Sequence, residues 1–112
     1  MTFLDNWATQ VRKGLLEFCV LRVLARRPHY GYELVKQLGR VQGFVISEGT
    51  VYPLLSRLKR EALVDTRLEE SPEGPARKYY RLTARGKQQL KLMDQVWSEI
   101  VGSVAELRRE GT

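Results

Sequence analysis

Thr50 and Tyr52 place two hydroxyls, and Arg57, Lys59 and Arg60 three cations, on a stretch whose apolar residues are Val51, Leu54, Leu55 and Leu58. Those four recur at i, i+3, i+4 and i+7, the spacing of an amphipathic helix anchored by one side. The other side is then free for the hydroxyls and cations, which are donors for anionic oxygens. Ser47 precedes the stretch as an N-cap, and the unpaired N–H groups of a first turn attract the same kind of ligand. Pro53 fits a helix only in its first turn, so the helix starts between Ser47 and Thr50, with Tyr52 near its exposed end. A second cationic pair, Arg77-Lys78, follows a turn-rich segment, Ser71-Pro72-Glu73-Gly74-Pro75.

Catalytic chemistry lacks its usual groups. The chain has one His and one Cys, and its carboxylates form no paired acid–base pattern, so an enzyme is not expected. Cys19 alone excludes an internal disulfide and a cysteine zinc site, and no metal or cofactor is expected. His29 is read as a turn residue and Cys19 as a small core hydrophobe. The 112 residues carry 19 Lys and Arg against 13 Asp and Glu, a charge of +6. Residues 1–61 hold ten basic and five acidic groups, and residues 62–112 hold nine and eight. Such a balance favours a polyanionic partner. No apolar run approaches the ~18 residues of a membrane span, and the first residues do not read as a secretory signal, so a cytoplasmic protein is expected.

The elements that would position these groups follow from spacing. Residues 3–12, with Phe3, Leu4, Trp7, Ala8 and Val11, predict a short amphipathic helix, with a break at Gly14. Leu15 to Ala25 predicts a buried central helix stopped by Pro28. Leu34, Val35, Leu38 and Val41 predict a shorter helix ending at Gly39 and Gly43, and Phe44-Val45-Ile46 a brief extended piece. After the helix that begins near Ser47, Leu63 to Glu70 and Arg77 to Leu82 predict two strands of a hairpin. Thr83 caps a last helix running to about Arg109. The expected fold is therefore mainly α with a small β-hairpin: a winged helix-turn-helix with N- and C-terminal dimerisation helices. Residues 1–83 would form the nucleic-acid-binding domain and 84–112 the dimerisation helix. In a winged helix-turn-helix the third helix enters the major groove and the hairpin reaches the flanking backbone.

The segments Tyr30-Gly31-Tyr32-Glu33-Leu34, Ser47 to Leu58 and Arg77-Lys78-Tyr79-Tyr80-Arg81-Leu82-Thr83 resemble the PadR family of bacterial transcriptional regulators, and the likeness runs from about Leu15 through Leu90. The short C-terminal part resembles the smaller of that family's two subgroups. The resemblance implies a homodimeric repressor on a pseudo-palindromic operator, released by a small effector. It also places Tyr32, Lys36, Thr50, Tyr52 and the Arg77-Lys78 wing at double-stranded DNA. Ser47, Arg57 and Lys59 complete the expected DNA site. The wing turn, Glu70 to Ala76, departs from that pattern in being acidic and proline-bearing. A winged helix that binds another protein and no DNA is the alternative reading of the same surface.

Leu90, Met93, Trp97, Ile100, Val104 and Leu107 alternate by three and four residues, a heptad seam that Val96 and Val101 widen. With Trp7 from the first helix they form the expected homodimer interface. In multidrug-sensing members of the resembling family a tryptophan of this helix stacks on planar aromatic effectors, so Trp97, with Met93, is the expected effector site.

Overall fold

The computed structural model describes residues 1–41, 44 and 46–111. Its first helix, α1 (Phe3–Leu24), is continuous where the sequence predicted a break. Gly14 has open space around its Cα and no need to bend the chain. Its cost relative to Ala, about 1 kcal/mol, is small beside a helix whose second half buries Val20, Leu21 and Leu24. The start is fixed by a capping box in which the Asp5 N–H donates to Thr2 Oγ1 (3.1 Å) and the Thr2 N–H donates to Asp5 Oδ2 (3.2 Å).

His29 and Tyr30 form a two-residue strand, β1, that was not foreseen, and α2 (Gly31–Leu38) follows directly. Glu33 secures that junction, accepting from the Tyr30 N–H at 3.2 Å and pairing with Arg27 at 3.1 Å. Burial pushes the Glu33 carboxyl up, but the Arg27 and Tyr30 hydrogen bonds outweigh it, and the net shift is downward. Val41, expected within this helix, lies beyond its end. The predicted stop at Gly43 and the extended piece centred on Val45 lie outside the described residues.

The third helix is α3 (Glu48–Arg60), with Val51, Leu55 and Leu58 buried. It starts within the expected bounds, but Pro53 is its sixth residue, in the second turn and not the first, and leaves the Gly49 carbonyl without a helical N–H partner. Ser47 occupies the N-cap position, but its hydroxyl lies 3.3 Å from Thr50 Oγ1 and caps no backbone N–H. At the other end the Leu63 N–H donates to the Leu58 carbonyl and the Ala62 N–H to that of Lys59, each at 3.0 Å. This is a Schellman closure, and it holds Ala62 at φ 62°. The chain thereby reverses into β2 (Val64–Ser71), which pairs antiparallel with β3 (Gly74–Leu82). β1 adds to the far edge of β3, so the sheet has three strands in the order β1-β3-β2. His29 stands opposite Tyr80, and Tyr30 opposite Tyr79. β3 is longer than predicted, because Gly74, Pro75 and Ala76 belong to it.

The last helix, α4 (Ala84–Gly111), is anchored at its base. Thr83 Oγ1 donates to the Ala62 carbonyl at 2.6 Å and accepts from the Gly86 N–H at 3.0 Å. A Cβ on Gly86 would lie under 3.0 Å from the Leu63 carbonyl oxygen, so only glycine admits this close crossing. Leu90, expected in the dimer seam, is instead 4% exposed and belongs to the core with Leu21, Leu34, Leu55, Val64 and Tyr80. It lies one turn after Gly86, on the face of α4 that crosses the Leu63 carbonyl, and so points into the core. Farther along, Arg22 pairs with Asp94 at 3.0 Å, and the Phe18 and Trp97 rings lie 6.3 Å apart. Phe18 precedes Arg22 whereas Trp97 follows Asp94, so the two helices run antiparallel.

Candidate nucleic-acid interface

Burial of Val51, Leu55 and Leu58 fixes how α3 is rotated. At 100° per residue the crest opposite them carries Gly49, Pro53, Ser56 and Arg60, with Tyr52 and Lys59 on one flank and Thr50 and Arg57 on the other. The expected site residues of this helix are therefore divided between two sides of it.

The first flank faces the wing. Tyr52 and Ser56 line an open cleft of about 410 Å³ together with Arg77, Lys78 and Tyr80 of β3 and with Tyr30 and Gly31. Arg77 is held there by the Tyr30 ring, 4.5 Å from its guanidinium carbon, and Tyr30 is itself packed edge-on against Tyr79 at 5.4 Å. A guanidinium laid on an aromatic face keeps its charge and its N–H edge available, with less rotamer freedom to lose. Tyr52 is 40% exposed, and burial first, then the nearby Glu48 carboxylate, pushes its phenol above the ordinary value. The group thus stays a neutral hydrogen-bond donor. On α2, the Lys36 ammonium sits 5.1 Å from the centre of the exposed Tyr32 ring.

The second flank faces α1. Thr50 borders a smaller cleft of about 230 Å³ with Thr9, Arg12, Lys13 and Leu16 of α1, and with Phe44 and Ile46. Arg57 pairs with Glu17 of α1. Its charge is therefore shared with the protein before any partner arrives. Lys59 is exposed. The wing carries Arg77 and Lys78 on the strand and two acids at the tip, where Glu70 and Glu73 are exposed, and the exposed Glu69 stands opposite Arg77. Arg81, near the base, is tied to Asp65 by contacts of 2.6 and 3.4 Å.

Sequence reasoning missed Tyr30 and Gly31, whose places depend on β1. Arg60, read from the sequence as one of this helix's three cations, stands at the crest of a wheel centred on Val51, Leu55 and Leu58. Between α1 and α4, Met93, Trp97 and Ile100 line a third cleft with Gly14, Leu15 and Phe18, of about 330 Å³. Trp97 is 39% exposed in it, and Trp7, Val104 and Leu107 are exposed on the same two helices.

Known proteins share this fold. Residues 20–92 match the family described as transcriptional regulator PadR-like. A PadR-like transcriptional regulator from Bacillus cereus has a crystal structure that superposes with a TM-score of 0.80 at 40% identity, over 88% of this chain and 95% of that one. A PadR family regulator from Eggerthella lenta gives a TM-score of 0.83 at 34% identity, over 93% and 90% of the two chains. A transcriptional regulator of Mycobacterium tuberculosis is 26% identical over 107 residues, which are 92% of this chain and 98% of the relative.

Proposed function

The chain belongs to the PadR-like family of transcriptional regulators, whose members bind DNA and typically dimerise, and from that premise we propose that it acts as a homodimeric repressor on a pseudo-palindromic operator. Residues 1–83 bind the DNA and residues 84–112 pair the protomers. The observation that carries this reading is the single cleft into which α3 sends Tyr52 and Ser56 and the wing sends Arg77 and Lys78. With α3 in the major groove, Tyr32, Lys36, Ser47, Thr50, Tyr52, Arg57 and Lys59 reach bases or phosphates, and Arg77 and Lys78 hold the flanking backbone. The two half-sites lie about one helical turn, ~10 bp, apart.

Titration of the protein against DNA duplexes selected from a random pool tests the reading. Affinity is expected to fall steeply with salt, since phosphate contacts release counterions. A protein-interaction module would not be retained on DNA, and an affinity indifferent to salt would equally overturn the reading.

The finer part of the proposal is release by a planar aromatic effector at Trp97 and Met93. Its support is the apolar cleft those residues share with Phe18 and Ile100, open enough for an aromatic plane to reach the indole. Planar cationic dyes are expected to quench the Trp97 emission, and Trp97→Ala to abolish the response. Unquenched emission, or a response that survives Trp97→Ala, would leave Trp97 as a packing residue only.

A further inference from the structure

We infer that Gly31 is a positioning residue for DNA recognition: its bare Cα is the seat on which the Tyr52 ring lies, and any side chain there would push the phenol out of the cleft it shares with Arg77 and Lys78. The inference rests on the proposed DNA-binding reading and assigns a device within that site.

Gly31 is the first residue of α2 and is buried. A Cβ built on it would fall under 3.0 Å from three Tyr52 atoms, Cε1, Cζ and Oη. Real side chains do not approach so closely, so one of the two must yield. The φ of Gly31 lies outside the left-handed region, so the backbone itself does not demand glycine here. The demand comes from the neighbour. The atoms in the way are the far end of a side chain rather than backbone, so the ring can swing aside while α2 and α3 stay packed through Leu34, Leu38, Val51 and Leu55. A substitution at Gly31 should therefore cost function more than fold.

The seat also explains why Tyr52 can be half-buried and still border the open cleft. Its ring rests across the start of α2, while Ser56, Arg77 and Lys78 line the same opening. A phenol fixed there before DNA arrives loses little rotamer entropy on binding, which is how preorganisation raises affinity.

The test compares the full chain with Gly31→Ala, Tyr52→Ala and the double variant on one selected DNA duplex. Tyr52→Ala is expected to weaken binding about tenfold, the scale of one charge-assisted hydrogen bond, and Gly31→Ala to weaken it by a similar factor. Once Tyr52 is already Ala, adding Gly31→Ala should change nothing further. In 13C-tyrosine NMR without DNA, the Tyr52 ring signals should move in Gly31→Ala, reporting displacement independently of binding. Losses that add in the double variant, or Tyr52 signals that stay put, would overturn the inference and leave the DNA-binding reading standing. Undiminished binding by Tyr52→Ala would remove Tyr52 from the DNA and the inference with it. Should Gly31→Ala melt early, the double variant decides: recovery of the melting temperature supports the seat, and equal loss shows that the glycine serves the fold alone.

Discussion

A chain carrying Ile100→Asp and Val104→Asp is expected to sediment as a monomer, keep its helical circular dichroism, and lose most of its affinity for a two-half-site operator. Ile100 and Val104 are 49% and 50% exposed in the single chain, so aspartates there meet water rather than the core. In the proposed dimer the same positions face the partner helix, where two charges brought close to their symmetry mates in an apolar seam cannot be desolvated without a large penalty. Phe3, Leu4, Trp7 and Val11 on α1, with Val96, Val101 and Leu107 on α4, are likewise exposed in the single chain, apolar surface that one winged domain leaves uncovered. Separated protomers hold one half-site each and forfeit the effective concentration that couples the two binding events, worth a factor of about 10² to 10⁴. Analytical ultracentrifugation and a DNA titration measure both effects. A variant that remains dimeric would move the pairing surface away from α4.

Local pattern made some of these features readable in advance, and tertiary contact decided the others. α3 was legible because Val51, Leu55 and Leu58 fix its buried side, a local fact, although Pro53 lies in its second turn and not in its first. The hairpin was legible from the turn residues between two alternating runs. β1 was not: His29-Tyr30 is too short to show a period, and it is a strand only because β3 offers an edge opposite Tyr79 and Tyr80. Gly14 misled for a related reason. Glycine weakens a helix locally, but the packing of Val20, Leu21 and Leu24 outweighs it at a distance. Leu90 fitted the heptad, yet its position four residues after Gly86, where α4 crosses the Leu63 carbonyl, turns it into the core. For the site, residue types, their helix and the wheel that divides Tyr52 from Thr50 and Arg57 were evident, whereas what each flank meets, the wing on one side and α1 on the other, required the tertiary structure. Glu17 is far from Arg57 in sequence and beside it in space.

That division sets the second large effect. Arg77→Gln with Lys78→Gln is expected to weaken DNA binding by on the order of 10² to 10³ at moderate salt, and to flatten the dependence of log affinity on log salt by about 4 units. Two protomers would each withdraw two phosphate contacts, and each contact contributes about 0.9 to that slope. Arg57→Gln is expected to cost much less, because its guanidinium already pairs with Glu17 and must leave that partner to meet a phosphate. The wing tip adds a check on where the field originates. Glu70 and Glu73 project beyond Arg77 and Lys78, so Glu70→Gln with Glu73→Gln should tighten binding modestly at low salt and scarcely at high salt. That outcome would make the strand cations the wing's contact in the proposed complex, with the acidic tip held back from the phosphates. An unchanged slope in the Arg77, Lys78 variant would place the backbone contacts on the α1 flank, among Arg12, Lys13 and Thr50.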